Sequence, residues 1–250
     1  MAAYARPRRF PYWFVALGLK VLVPAWLRIR VEGLDRLPDG PAILCFNHQD
    51  WIDPFVMVAA LPARPDLVFF GPKEEDMSVG FINRLITWAG RGIPFNPAQT
   101  DLLATTRSVQ AALDAGVRVA IAPEGRIHAG ERALLPLNEG VAFFALRARV
   151  PVVPVGITGL GWVRLGRTVR VRVGEPIIPA GPPARLAIRS LTAEIAYAMR
   201  ALVADGRDEA PPGPVGRWLT EIFNDWPAGA RPEPLPQGLA PQAPAGLDGT

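Results

Sequence analysis

The sequence predicts an α/β fold: a mixed, largely parallel sheet flanked by helices, with an N-terminal membrane-interfacial helix and a disordered C-terminal tail. Short apolar runs of strand length alternate with amphipathic stretches of helix length, an order that covers both faces of a sheet with helices. The 250 residues suffice for one domain with a substantial core. The composition, 50% hydrophobic and 20% charged, is apolar for a soluble protein yet too polar for many membrane spans.

The first element is the run Phe10 to Leu27, interrupted by Lys20 and Pro24 and flanked by Arg6, Arg8 and Arg9 before and Arg28 and Arg30 after. A spanning helix needs about 20 apolar residues and tolerates a central lysine poorly. Residues 1–30 therefore read as an amphipathic, membrane-associating helix in the headgroup region, anchored by Tyr12, Trp13 and Trp26. A true span and a helix packed on the protein are the alternatives. The start is basic, as in a signal peptide, but no convincing small-x-small cleavage site follows.

Residues 31–208 carry the α/β pattern. "AILCF" (42–46) is a buried strand and "PFVMVAAL" (54–61) a helix with proline in its first turn. "DLVFFG" (66–71) is a strand and "SVGFINRLITWAG" (78–90) a helix capped by Ser78. "RGIPF" (91–95) is a strand, and "DLLATTRSVQAALDAG" (101–116) an amphipathic helix ending at glycine. "VRVAIAP" (117–123) is a strand, "NEGVAFFALRAR" (138–149) a helix and "VPVVPVGI" (150–157) a β-rich run. "TVRVRVGEPI" (168–177) alternates as a half-exposed strand does, and residues 183–205 form a long helix. Residues 209–227 read as a short C-terminal amphipathic helix. Residues 228–250, rich in Pro, Gly, Ala and Gln, read as the tail.

Charge and cysteine narrow the function. A net charge of +4, mostly from arginine, suits anionic lipid or a phosphorylated substrate and is too diffuse for nucleic acid. Cys45 is the only cysteine, so neither an internal disulfide nor a thiolate cluster forms; a cytosol-facing location fits.

"FNHQDWIDPF" (46–55) holds one of the 2 histidines where a strand gives way to a helix. Ligands gather at the carboxyl ends of strands in such sheets, so His48 is a site candidate. A neutral imidazole takes a proton from a hydroxyl when a carboxylate holds its other nitrogen. Asp53 fits that partner through a turn, and Asp50 is its rival. A satisfied turn histidine beside a helix-capping aspartate is the plain alternative. A metal set of His48, Asp50 and Asp53 with His128 is weaker, because no second histidine lies nearby in the sequence.

"NHQDWIDP" resembles the first motif of the glycerolipid acyltransferases, the family of 1-acylglycerol-3-phosphate (lysophosphatidic acid) acyltransferases: histidine, four residues, aspartate. "APEGRI" (122–127) is similar to the family's Pro-Glu-Gly motif, and "VPVVPVGI" to its fourth block. Three blocks in order give a specific signal over residues 42–157, with the domain resemblance reaching about Glu175. The resemblance implies fatty acyl transfer from acyl-CoA or acyl carrier protein to the free hydroxyl of 1-acylglycerol 3-phosphate, giving phosphatidic acid, with no cofactor and no metal. It implies His48 as general base, Asp53 as its orienting partner, and Glu124, Gly125 and Arg126 as substrate-binding residues. Backbone N–H groups near the first motif are the expected oxyanion donors. Glu124 is expected to orient an arginine or a hydroxyl, and Arg126 to meet phosphate. The second motif departs from the family: "GRGIPFNP" has Asn96 and Pro97 in place of an acidic–basic pair, leaving Lys73 and Arg91 as further candidate cations. That departure leaves another lysolipid acceptor open and the acyl-transfer chemistry intact; a non-catalytic lipid-binding protein on the same scaffold is a separate alternative. The basic, aromatic N-terminal helix and the lone cysteine point to peripheral or monotopic association with the cytoplasmic face of the cell membrane.

Overall fold

The computed structural model describes residues 9–71, 92–93, 102–222, 224 and 231. The helix expected from Ser78, the candidate cations Lys73 and Arg91, the pair Asn96 and Pro97, and the tail apart from Arg231 lie outside the described residues.

Among the described residues the strands are β1 (Arg28–Glu32), β2 (Ile43–Phe46), β3 (Leu67–Phe70), β4 (Gly92–Ile93), β5 (Arg118–Ile121), β6 (Val152–Thr158) and β7 (Thr168–Val173). They form one seven-stranded sheet in the order β1-β7-β6-β2-β5-β3-β4. Every pairing is parallel except β6 with β7, the mixed, largely parallel sheet that the alternating pattern predicts. The central strands β2, β5 and β6 are buried along their whole length, which explains why they read as continuous apolar runs.

Helices cover both faces: α1 (Arg9–Trp26), α2 (Asp53–Ala60), α3 (Leu102–Asp114), α4 (Gly140–Ala148), α5 (Arg185–Val203) and α6 (Pro214–Glu221). Successive strand side chains point to opposite faces, and β2 divides accordingly. Leu44 and Phe46 join the core beneath α1 and α2, with Ala16, Val23, Val56 and Met57. Ile43 and Cys45 join the core beneath α3, α4 and α5, with Val109, Ala145, Ile195 and Met199. Helix α5 approaches β6 so closely that a Cβ on Gly156 would lie 2.6 Å from the Cβ of Leu202.

The N-terminal segment differs from the sequence reading. The helix ends at Trp26, and Arg28–Glu32 is an edge strand paired with β7. "RIRVE" alternates charged with β-branched residues, a period-2 signal in a segment too short to stand out beside the long apolar run. Tyr12 is no interfacial anchor: it is buried, and its hydroxyl donates to the Leu67 carbonyl at 3.2 Å. Lys20 also points inward, where Nζ donates to the carbonyls of Ala59 (3.3 Å) and Leu61 (2.7 Å) at the end of α2. A cation there offsets the negative end of the helix dipole. Trp13 is half-buried, with the guanidinium of Arg64 over its ring. The outward face of α1 is Phe10, Phe14, Leu17, Val21 and Leu22, all exposed. No helix among the described residues is long and apolar enough to cross a membrane.

Candidate active site

The chain leaves β2 through Asn47, whose buried amide clamps β6: Nδ2 donates to the Ile157 carbonyl at 2.9 Å, and Oδ1 accepts the Ile157 N–H at 2.7 Å. Beyond this clamp His48 Nδ1 stands 2.9 Å from Asp53 Oδ2. The same oxygen accepts the backbone N–H groups of Gln49 at 2.7 Å and Asp50 at 3.0 Å. Residues 49–52 thus wrap around one carboxylate at the start of α2, and a spacing of five closes into contact. Asp53 is wholly buried, whereas the His48 side chain keeps 23% of its exposure. An ionised carboxylate only accepts, so it holds the proton on Nδ1 and leaves Nε2 as the free base.

Asp50 serves a different end. Its Oδ2 accepts the Asn224 amide at 2.9 Å and its Oδ1 the Ile52 N–H at 3.2 Å. Burial, then the neighbouring Asp53, push its carboxyl well above the ordinary carboxylate range. Between the two rivals the ring of His48 meets Asp53.

The Pro-Glu-Gly turn follows β5, which lies beside β2. Glu124 Oε1 accepts the His48 N–H at 3.0 Å, and Oε2 accepts the Leu135 N–H at 2.7 Å. His128 Nε2 is 2.8 Å from that second oxygen, with both side chains buried. Glu124 therefore faces inward and braces the backbone of His48. Burial works against a charged His128, but contact with the Glu124 carboxylate outweighs it, so the ring titrates above its usual value. Gly125 has φ 71, a left-handed conformation that only glycine adopts without strain. Its amide donates to the Ala122 carbonyl at 3.2 Å. Gly125 and Arg126 are exposed, so Arg126 is presented at the same sheet edge as His48.

The amides of residues 48–52 are all engaged within the fold. The N–H of His48 goes to Glu124, those of Gln49 and Asp50 to Asp53, that of Trp51 to Asn224 and that of Ile52 to Asp50. None of these amides is left for a developing oxyanion. Cys45 is buried in the sheet, donates to Met199 Sδ at 3.3 Å, and has its thiol pushed up by burial and by Glu124. It is not built as a nucleophile.

Several residues escaped the sequence reading. His128 drew notice there only as a metal candidate. Glu131 is buried and accepts the N–H groups of Gly159 (2.6 Å) and Gly161 (2.7 Å), fixing the turn after β6. Asn224 meets the first motif across 174 residues, a separation that no local pattern reveals. Beyond the β6 turn lies a cleft of about 450 Å³ lined by Arg164, Arg167, Arg170, Arg207 and Glu209. Glu209 pairs with Arg164 at 3.0 Å and also with Arg167, so part of that charge is already matched.

The structure thus sets a histidine–carboxylate pair at the carboxyl edge of a largely parallel α/β sheet, beside a Pro-Glu-Gly turn. The chain belongs to the Acyltransferase family, whose model matches residues 28–158, more than half of the 250. It is 32% identical over 133 residues to the 1-acyl-sn-glycerol-3-phosphate acyltransferase alpha of Homo sapiens, covering 52% of this chain and 45% of that protein. It is 30% identical over 140 residues to the beta form of Homo sapiens, covering 52% of this chain and 46% of that one. The chain thus spans less than half the length of these relatives. In fold it is similar to the crystal structure of the 1-acyl-sn-glycerophosphate (LPA) acyltransferase PlsC from Thermotoga maritima. That match has a TM-score of 0.61 and 21% identity, covering 82% of this chain and 86% of that chain.

Proposed function

We propose that this protein is an O-acyltransferase that moves a fatty acyl group from acyl-CoA or acyl carrier protein to the free hydroxyl of 1-acylglycerol 3-phosphate, giving phosphatidic acid. The observation that carries the reading is His48 Nδ1 held 2.9 Å from the buried Asp53 carboxylate, with the ring still reachable from solvent. His48 Nε2 takes the proton of the acceptor hydroxyl as its oxygen attacks the thioester carbonyl. The tetrahedral intermediate then expels the thiolate, which recovers that proton from the imidazolium; an ester forms and a thiol leaves. Asp53 stabilises the imidazolium and keeps the reactive tautomer. Arg126 is the phosphate ligand of the acceptor. Membrane association is proposed through the exposed apolar face of α1, because acceptor and product reside in a bilayer. The relatives named above, acyltransferases for 1-acylglycerol 3-phosphate, support the choice of acceptor.

The test is thiol release from acyl-CoA with 1-acylglycerol 3-phosphate and, side by side, with a phosphate-free monoacylglycerol and other lysolipids. Turnover is expected with the phosphorylated acceptor and a loss of about 10²–10⁴-fold in H48A. For D53N the fall is expected in kcat, with binding little changed. Full turnover in H48A would remove the proposed base, and preference for another lysolipid would replace the acceptor.

A further inference from the structure

We propose that Asn224, beyond the family-matched residues 28–158, is a positioning residue for the His48–Asp53 pair, acting through the loop that joins them. The inference rests on the general-base role proposed for His48. One side-chain amide engages two consecutive residues of that loop. Its Oδ1 accepts the Trp51 N–H at 2.9 Å, and its Nδ2 donates to Asp50 Oδ2 at 2.9 Å. Nδ2 also donates to the Thr220 carbonyl at 2.7 Å, so the amide is locked to α6 while it holds the loop.

The surroundings make this an anchored clamp rather than a surface contact. Trp51 Nε1 donates to the Leu219 carbonyl at 3.2 Å, a second tie between the loop and α6. Thr220 is fully buried, and its Oγ1 accepts the Val163 N–H at 2.8 Å, which pins α6 to the chain after β6. Asp50 is itself fully buried, so removing the Asn224 amide takes a partner from a carboxyl shielded from solvent. The loop is short and its amides are mutually committed: Gln49 and Asp50 donate to Asp53, and Ile52 donates to Asp50. A shift of the Asp50–Trp51 peptide therefore moves the N–H groups that fix Asp53 Oδ2, the oxygen that holds His48. Displacements of about 1 Å in such a constellation cost up to about 10²-fold in rate.

In N224A the expectation is a fall in kcat of about 10–100-fold, with KM for both substrates within about twofold of wild type. D50N, isosteric and able to keep the Ile52 N–H, turns an amide toward the Asn224 amide and breaks the same contact from the other side. It should fold where N224A does not, and should lower kcat likewise. In D50N/N224A the two effects should not multiply, because both remove one contact. Independently of turnover, the ring ¹⁵N shifts of His48, assigned against H48A, should report a changed tautomer population in both single variants. If kcat per folded molecule and the ring shifts match wild type in N224A, or the two losses multiply in the double variant, the proposal falls. If wild-type enzyme releases no thiol from acyl-CoA with any acceptor, the proposed function falls while the ring shifts still decide the clamp.

Discussion

Glu124 and His128 form a largely buried pair, and Glu124, expected among the substrate-binding residues, accepts the backbone N–H of His48. The pairing has a pH signature. The folded state holds the His128 proton more tightly than the unfolded chain, whose value lies near 6.5. That contribution is fully present below the unfolded value and is lost as pH rises through the higher folded one. H128Q should therefore cost most stability at about pH 5–6 and less at higher pH, as read by urea denaturation. A cost independent of pH would reduce His128 to packing. Arg126, in contrast, is exposed at the sheet edge. R126A should raise KM for the phosphorylated acceptor by about 10–100-fold, the worth of one charge-assisted contact, and leave a phosphate-free acceptor unchanged. Equal effects on both acceptors would separate Arg126 from the phosphate. His48 and Asp53 were legible because type and spacing lie within one short motif. The inward turn of Glu124 was not, since its partners Leu135 and His48 come from other turns of the chain.

At the scale of elements, α1 shows how one helix answers to two environments. Its inner face is set by Tyr12, Ala16 and Val23 against the core, with Lys20 capping α2. Its outer face repeats apolar residues at Phe10, Phe14, Leu17 and Val21, the helical spacing of a continuous stripe. The lysine that argued against a membrane span in the sequence points inward, at backbone carbonyls. F14D/L17D should lower co-sedimentation with anionic vesicles by at least about tenfold, since each side chain is worth about 1.5–3 kcal/mol on burial. Circular dichroism should be unchanged, because Phe14 and Leu17 are 61% and 65% exposed. Undiminished vesicle binding would place the membrane contact elsewhere.

For the molecule as a whole, strand order is what assembles the site. The first motif follows β2, the Pro-Glu-Gly turn follows β5, and the fourth block is β6, so the neighbours β6-β2-β5 bring three distant blocks to one edge. Helix α5 lies close on one face of β6, where Gly156 meets Leu202. G156A tests this spacing: the added methyl meets Leu202 and should destabilise by about 1–3 kcal/mol, seen as a lower denaturation midpoint. An unchanged midpoint would show that α5 yields freely.

The sequence by itself determined the α/β class, the candidate His48 with its two possible carboxylate partners, and most element positions, because periodicity and short motifs are local properties. It did not separate the edge strand Arg28–Glu32, whose five residues adjoin a long apolar helix. Only the tertiary structure decided what each polar group near the site does. Hydrogen-bond partners of buried groups are chosen by proximity across the fold: Asp50 finds Asn224, Glu131 finds Gly159 and Gly161, and Lys20 finds Leu61. Burial then makes those choices costly to undo, since a polar group without water must keep the partner that folding supplies.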